Sequence, residues 1–218
     1  MRLRNVPGAQ ERIEASPYVV EDPAAWKGRW RECFDRMASV QNGQLHVEIG
    51  TGKGRFLLGM AAQHPDVLFL GIEKFSSVLV RAVDKAEASG PPNLLFIRME
   101  AELLENVFDK GEVNRIYLNF SDPWPKDRHE KRRLTSDVFL RRYREILVPQ
   151  GEIEFKTDNE VLFTYSVESC MQEGWTLTVN TRDLHGEEVL NAGNIMTEYE
   201  ERFSQKGNRI CKLVATRP

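Results

Sequence analysis

Residues 45–54 read Leu-His-Val-Glu-Ile-Gly-Thr-Gly-Lys-Gly, a short apolar run that leads into a GxGxG loop. The apolar run predicts a buried strand, and the glycines allow the chain to turn sharply into a helix predicted for residues 55–63. Further strand-like runs alternate with helix-like segments as far as residue 172. Such alternation is typical of βαβ units, so we predict an α/β fold with a doubly wound, Rossmann-like and mostly parallel sheet.

The two ends of the chain depart from this alternation. Residues 176–181 and 209–216 are predicted as strands with no helix between them, which favours an antiparallel hairpin at one edge of the sheet. The first 35 residues contain three prolines and show no sustained apolar period. We therefore expect a poorly ordered arm over residues 1–35 and a single domain over residues 36–218.

Composition excludes several classes of protein. Of the 218 residues, 41% are hydrophobic and 29% are charged, a balance that indicates a globular domain rather than a disordered chain. The sequence has neither the run of about 20 apolar residues that a membrane span requires nor the apolar core of a signal peptide at its start. Three widely separated cysteines and four histidines without ligand spacing argue against a disulfide framework and a metal site. We expect a cytoplasmic protein that uses no metal.

The charge of the chain is unevenly distributed. The formal net charge is −3, which by itself argues mildly against a nucleic-acid partner. Residues 126–144, however, hold eight basic and three acidic residues, a net +5 that leaves −8 for the rest of the chain. We call this stretch the basic island. It suits a polyanion that docks in one orientation, although a solvated helix face with surface arginines is the ordinary alternative.

The glycine loop predicts the type of ligand. A dinucleotide fingerprint would read GxGxxG, but Arg55 occupies the position of the third glycine and the spacing is GxGxG. Glu48 stands two residues before Gly50, where a carboxylate repels a pyrophosphate but attracts an ammonium group. A nucleoside with an amino-acid tail, as in S-adenosylmethionine, fits Gly50, Gly52 and this carboxylate.

Two more acidic residues follow the next predicted strands. Glu73 ends the second strand, where a carboxylate can accept hydrogen bonds from both ribose hydroxyls. Glu100 follows the third strand and can accept from an adenine amino group, or it merely caps the next helix. Three acids at three successive strand ends, with the glycine loop between the first two, favour the nucleoside interpretation.

The loop after the fourth predicted strand leads into the basic island. Residues 119–126 read Asn-Phe-Ser-Asp-Pro-Trp-Pro-Lys, and the two prolines stiffen the loop. Trp124 offers a face on which a base can stack, and Asp122 can accept from the Watson–Crick edge of a purine. The alternative is that Pro-Trp-Pro forms only a rigid turn.

Together these motifs resemble a known family. Asp122-Pro-Trp-Pro-Lys126, continuing through residues 128–133, is similar to the motif of the bacterial tRNA (guanine-N7-)-methyltransferases, which are class I S-adenosylmethionine-dependent enzymes. Other matching motifs follow in the family's order and span nearly the whole chain: residues 48–54, 71–73, 156–158 and 197–203. Glu100 stands where an aspartate is expected.

The resemblance implies methyl transfer from S-adenosylmethionine to N7 of a variable-loop guanosine in tRNA. Guanine N7 carries an in-plane lone pair, so neither a strong base nor a metal is needed, and alignment becomes the main task. The implied cofactor contacts are Glu48, Gly50, Gly52, Glu73, Glu100 and Asp122, the last also at the catalytic centre. The implied guanosine contacts are Lys126, Asp158, Thr197, Glu198, Tyr199 and Glu200. The implied RNA contacts are Arg128, His129, Glu130, Lys131, Arg132 and Arg133.

Several alternatives remain open at this stage. Asp158 also suits the N-cap of the helix predicted for residues 160–172. The enzyme could act on a small molecule or a protein, in which case the arginines of the basic island bring no benefit. A non-catalytic RNA-binding module would bind RNA without the cofactor. The sequence does not distinguish a monomer from a homodimer.

Overall fold

The computed structural model describes residues 6–34 and 43–218, and the chain divides into two compact units, Met1–Asp109 (unit 1) and Lys110–Pro218 (unit 2). No helix in these two ranges is long and apolar enough to cross a membrane.

Unit 1 is built on three parallel strands. Its elements are α1 (Ala9–Glu14), α2 (Trp30–Phe34), β1 (Leu45–Ile49), α3 (Arg55–Gln63), β2 (Leu68–Glu73), α4 (Ser76–Ser89), β3 (Leu94–Arg98) and α5 (Leu104–Val107). The strand order is β3-β2-β1, and every residue of β1 and β2 is buried. Parallel pairing brings the carboxyl ends of the three strands to one edge. This is the edge at which the sequence predicts the nucleoside site.

The apolar face of α4 is buried. Leu79, Ala82, Val83 and Ala86 lie on one side of the helix at i, i+3, i+4 and i+7, and the helix ends at Gly90, which is left-handed with φ 66°. Gly54 lies where α3 approaches α4. A Cβ on Gly54 would lie 2.6 Å from the Cβ of Ala82, so this glycine is required by close packing.

Residues 6–34, which the sequence predicts to belong to a poorly ordered arm, pack within unit 1. Trp30 and Phe34 are fully buried, and the indole Nε1 of Trp30 donates to the carbonyl of Val107 at 2.8 Å. Residues 18–20 hydrogen-bond along β3, where Phe96 N donates to Tyr18 O and Val20 N donates to Phe96 O. The segment packs through scattered aromatic residues and very short helices, so it has no periodicity that a sequence pattern would show. Residues 1–5 and 35 of the predicted arm lie outside the described residues.

Unit 2 combines a parallel pair with an antiparallel edge. Its elements are β4 (Val113–Asn119), α6 (Asp137–Ile146), β5 (Leu147–Thr157), α7 (Glu160–Gln172), β6 (Thr176–Thr181), α8 (Glu188–Asn191), α9 (Glu198–Ser204) and β7 (Cys211–Thr216). β4 and β5 are parallel, and β7 lies antiparallel between β5 and β6. The prediction of a mostly parallel α/β sheet with an antiparallel edge hairpin is confirmed.

Two short helices lie where the sequence predicted none. α8 and α9 fall between β6 and β7. α9 has seven residues, and the one it buries is a glutamate, Glu200. A helix whose buried residue is charged has no apolar stripe, which is why hydrophobic periodicity missed it.

Candidate functional site

The acidic end of β1 is buried in unit 1. The side chain of Glu48 is 1% exposed, and the hydroxyl of Thr51 donates to its Oε2 at 2.7 Å. A buried carboxylate is costly unless polar groups surround it. Glu48 is therefore a buried carboxyl group held in place by Thr51 at the start of the glycine loop.

The glycine loop is tied to β2 and leaves room above its backbone. Gly50 N and Thr51 N both donate to the carbonyl of Ile72, at 2.8 and 3.0 Å. Gly50 and Gly52 have φ values of 80° and 59°, which side-chain-bearing residues rarely adopt. Among the described residues, a Cβ on Gly50 would have no atom within 4 Å, and a Cβ on Gly52 would meet only the Gly50 carbonyl at 3.9 Å. The loop thus offers bare backbone and open space to a ligand.

Glu73 lies against the same loop. Its Oε2 accepts from Gly52 N at 3.2 Å, and its Oε1 accepts from Phe75 N at 3.0 Å. Burial raises the pKa of Glu73 by more than the backbone amides of Phe75, Gly52 and Lys74 and the Lys74 ammonium lower it. The carboxylate is therefore held in place by backbone donors at the edge of the glycine loop.

Glu100 follows β3 at the same edge of unit 1. Its side chain is exposed, and its Oε2 lies 3.8 Å from the Nζ of Lys74. It occupies the N-cap position of a 3₁₀ turn, Ala101–Leu103, but its side chain makes no capping hydrogen bond there. The structure thus does not support the capping alternative, and the fit to a nucleoside rests on Glu48, the glycine loop and Glu73.

In unit 2, the loop after β4 has an unusual backbone. Phe120 and Trp124 have left-handed φ values of 52° and 41°, although neither is a glycine. Non-glycine residues in this region cost energy and concentrate at functional sites. Asp122 lies between them, is exposed, and has no hydrogen-bond or ion-pair partner within the described part of the chain. The loop presents this carboxylate to solvent.

The ring of Trp124 is packed against the basic island. The guanidinium carbon of Arg132 lies 5.0 Å from the ring centroid, and His129 meets the ring edge-on with 5.5 Å between centroids. The predicted stacking platform is therefore half-buried, and an arginine contacts its ring.

The basic island divides into two groups. Residues 127–132 form a 3₁₀ helix. Four exposed cations on it or at its N-cap lack an ion pair among the residues with assigned structure: Lys126, Arg128, Lys131 and Arg132. Arg141 and Arg144 instead pair with Glu173. The unpaired cations are therefore confined to the amino-terminal part of the island.

Asp158 and Tyr199, which lie 41 residues apart in sequence, meet in unit 2. The Tyr199 hydroxyl donates to Asp158 Oδ2 at 3.4 Å, and Asn208 Nδ2 donates to the same oxygen at 2.9 Å. Asp158 does not cap α7, because Asn159 does so by accepting from Leu162 N. The Tyr199 ring contacts Phe120 and Phe203, with centroids 5.0 and 4.1 Å away. These contacts confine Tyr199 and leave its hydroxyl end at Asp158.

A buried ion pair anchors α9 to β5. Lys156 and Glu200 are both fully buried, and Lys156 Nζ lies 2.7 Å from Glu200 Oε2. Asn194 Nδ2 and His185 Nε2 contact Glu200 Oε1 at 2.8 and 2.9 Å. Burial raises the pKa of Glu200. The contacts with Lys156, Asn194 and His185 lower this pKa by more, so the net shift is downward.

This network gives roles to residues that the sequence analysis did not single out. In the sequence, Lys156 stands out only as part of the matching motif at residues 156–158, and His185 has no predicted role. Thr197, at the N-cap of α9, accepts from Glu200 N at 2.9 Å, and Glu198 follows it in the first turn. A Thr-x-x-Glu spacing is a capping signature, and it was the available signal for this helix.

Comparisons with known proteins agree with the motifs. The sequence profile of the family described as "Putative methyltransferase" matches residues 42–213. A tRNA (guanine-N(7)-)-methyltransferase of Lachnoclostridium phytofermentans is 54% identical over 217 residues, which cover 100% of this chain and 99% of the relative. A protein of the same name from Geobacillus sp. is 51% identical and covers 100% of this chain and 96% of the relative.

Solved structures share the fold at much lower identity. The 16S rRNA methyltransferase KamB has a TM-score of 0.63 at 18% identity, covering 85% of this chain and 92% of that one. The antibiotic-resistance methyltransferase Kmr has a TM-score of 0.58 at 17% identity, covering 86% and 92%. The fold is that of class I methyltransferases. With full-length relatives at about half identity, this chain belongs to the tRNA (guanine-N(7)-)-methyltransferase family.

Proposed function

We propose that this chain transfers the methyl group of S-adenosylmethionine to N7 of a variable-loop guanosine in tRNA, in the cytoplasm. The observation that carries the proposal is the arrangement in unit 1, where two buried carboxylates flank an open glycine loop. Family membership and the unpaired cations of the basic island support tRNA as the substrate.

The residues of unit 1 fit the cofactor. Glu48 supplies the carboxylate for the ammonium of the amino-acid tail, and Gly50 and Gly52 let the tail approach the backbone. Glu73 accepts the ribose hydroxyls, while the exposed Glu100 accepts from the adenine amino group. S-adenosylmethionine supplies a methyl group already activated on a sulfonium sulfur. No group of three or more metal-ligating side chains occurs within the described ranges.

Asp122 has the catalytic role, and we also assign it a contact to the cofactor. The N7 lone pair forms the new bond to the methyl carbon while the electrons of the carbon–sulfur bond remain on sulfur. Positive charge then develops on the guanine ring, and no proton has to leave. An oriented carboxylate stabilises this charge, and such electrostatic terms are often worth 10²–10³-fold in rate, about 3–4 kcal/mol.

The guanosine contacts are assigned to unit 2. Asp158 and the Tyr199 hydroxyl form a polar pair at the end of an aromatic stack, where they can hold the nucleoside. Lys126 provides a cation for the adjacent phosphate. Thr197, Glu198 and Glu200 belong to the same helix start, and the buried Glu200 carboxylate acts by fixing that segment.

The amino-terminal part of the basic island is assigned to RNA. Arg128 and Lys131 present unpaired charges, and Arg132 adds a guanidinium over the Trp124 ring. His129 and Glu130 lie on the same 3₁₀ helix. Each phosphate contact of this kind contributes to affinity in a salt-dependent manner.

Transfer of a labelled methyl group tests the proposal. The protein is incubated with methyl-labelled S-adenosylmethionine and an unmodified tRNA transcript, with free nucleosides and a protein extract as competing acceptors. We expect label in the tRNA, and we expect Asp122→Asn to lower kcat by about 100-fold. Asp66→Asn, a substitution at an exposed aspartate of unit 1, is the matched control. Label in nucleosides or protein would support the alternative substrates, and RNA binding without any transfer would support a binding module.

A further inference from the structure

Arg133 differs from the other cations at the amino-terminal part of the basic island. Its Nε donates to the carbonyl of Pro123 and its Nη2 donates to the carbonyl of Trp124, both at 3.2 Å. Arg128 and Lys131 make no such bonds within the described residues. One donor edge of the Arg133 guanidinium is therefore committed to the loop after β4.

The guanidinium of Arg133 also contacts a tyrosine of α7. Its guanidinium carbon lies 4.3 Å from the centroid of the Tyr165 ring. Burial and the hydrogen-bonded carboxylate of Glu130 raise the pKa of Tyr165 to about 12, so the phenol stays neutral near pH 7. Arg133 is half-buried between this ring and the loop carbonyls.

Trp124, whose carbonyl accepts a hydrogen bond from Arg133, has a strained backbone. Trp124 has φ 41°, and a non-glycine residue held in the left-handed region costs on the order of 1–3 kcal/mol. Such a conformation persists only where surrounding contacts fix it. Hydrogen bonds from a charged donor to two successive carbonyls are contacts of that strength.

We propose that Arg133 is a positioning residue that fixes the loop carrying Asp122, and that Lys126, Arg128 and Lys131 provide the phosphate contacts of the island. The predicted effect of Arg133 on catalysis rests on the proposed function of the chain. It predicts that Arg133 acts on turnover through Asp122, whereas Arg128 acts on tRNA affinity.

Paired kinetic and exchange measurements on Arg133→Ala, Arg133→Lys and Arg128→Ala test the division. We expect Arg133→Ala to lower kcat about 100-fold, the cost of a small misplacement of reacting groups, with the salt dependence of tRNA binding unchanged. Lysine keeps the charge but lacks the planar fork, so Arg133→Lys should not restore kcat. Arg128→Ala should raise the KM for tRNA and reduce the salt slope by about one.

Amide hydrogen exchange provides a readout that does not depend on the substrate. Exchange at residues 121–126 should become faster in both Arg133 variants and stay unchanged in Arg128→Ala and in Arg81→Ala, a control at an exposed arginine on α4. Arg133→Lys keeps the test valid if Arg133→Ala does not fold. Unchanged loop exchange, or a salt slope that falls in Arg133→Ala as it does in Arg128→Ala, would overturn the division. A wild-type protein inactive on tRNA would instead reject the proposed function, and loop exchange would still decide the role of Arg133.

Discussion

The ammonium of Lys156 lies 2.7 Å from a carboxylate oxygen of Glu200, and neither side chain is exposed to solvent. The pair joins the end of β5 to the first turn of α9, so it sets the position of Asp158 relative to Tyr199. Removing one member of a buried pair leaves an unpaired charge in the interior and typically costs about 3–5 kcal/mol.

We therefore expect Glu200→Gln to lower the free energy of unfolding by about 3–5 kcal/mol, measured by urea denaturation. Glu188→Gln changes an exposed glutamate on α8 and should have almost no effect. A Lys156→Met/Glu200→Leu double variant should recover part of the loss because it leaves no unpaired charge. Equal stabilities of wild type and Glu200→Gln would show that the pair does not hold the two elements together.

Binding of S-adenosylmethionine should depend on pH through Glu73. Its pKa is raised by burial, and in the proposed function its ionised form accepts the ribose hydroxyls. Affinity should thus fall as the pH drops through this raised pKa, at a higher pH than the ordinary glutamate value of about 4.3 would give. Calorimetric titrations between about pH 4.5 and 7.5, with folding checked by circular dichroism, measure this.

Glu73→Gln supplies the comparison for this pH dependence. The variant should bind more weakly at pH 7, and its affinity should vary less with pH. If wild type and Glu73→Gln lose affinity in parallel as the pH falls, another group is responsible.

Gly54 and Ala82 should behave as a coupled pair. A methyl group on Gly54 would collide with the Ala82 methyl at 2.6 Å, and overpacking of this kind typically costs 1–3 kcal/mol, with a left-handed φ adding strain. Gly54→Ala should therefore be markedly less stable in urea denaturation. Gly54→Ala/Ala82→Gly should regain part of the loss, even though glycine inside a helix costs about 1 kcal/mol by itself. Strictly additive effects would contradict the close contact.

The amino-terminal segment should contribute to stability. Trp30 is fully buried and hydrogen-bonded to Val107, and replacing such a residue by alanine costs about 3–5 kcal/mol. Trp30→Ala should lower the free energy of unfolding by that amount, whereas Arg31→Ala, an exposed neighbour in the same helix, should not. A stable Trp30→Ala variant would restore the view of this segment as a loose arm.

The sequence allowed the fold class to be predicted because its strands and main helices are periodic. α7 and β6 were predicted with the bounds that the structure has, since each carries its own apolar pattern and ends at clear turn signals. The ends of the strands could also be predicted from the sequence. For this reason Glu48 and Glu73 were correctly expected at the same edge of the sheet.

Other features depend on contacts that sequence spacing does not show. α9 buries a glutamate rather than an apolar stripe, and its partner Lys156 lies 44 residues away. The proposed loop-holding role of Arg133 depends on where a 3₁₀ helix turns. In the sequence, nothing distinguishes Arg133 from the other arginines of the basic island. Polar contacts between residues far apart in the chain were therefore the part of the site that could not be predicted from the sequence.

The proposed function stands or falls on which base of the tRNA receives the methyl group. After reaction with unmodified tRNA, borohydride reduction and aniline treatment cleave the strand at 7-methylguanosine, and sequencing locates the cut. We expect one cleavage, at a variable-loop guanosine, and none in a transcript made with 7-deazaguanosine. Label without cleavage, or methylation that survives the 7-deaza substitution, would contradict it.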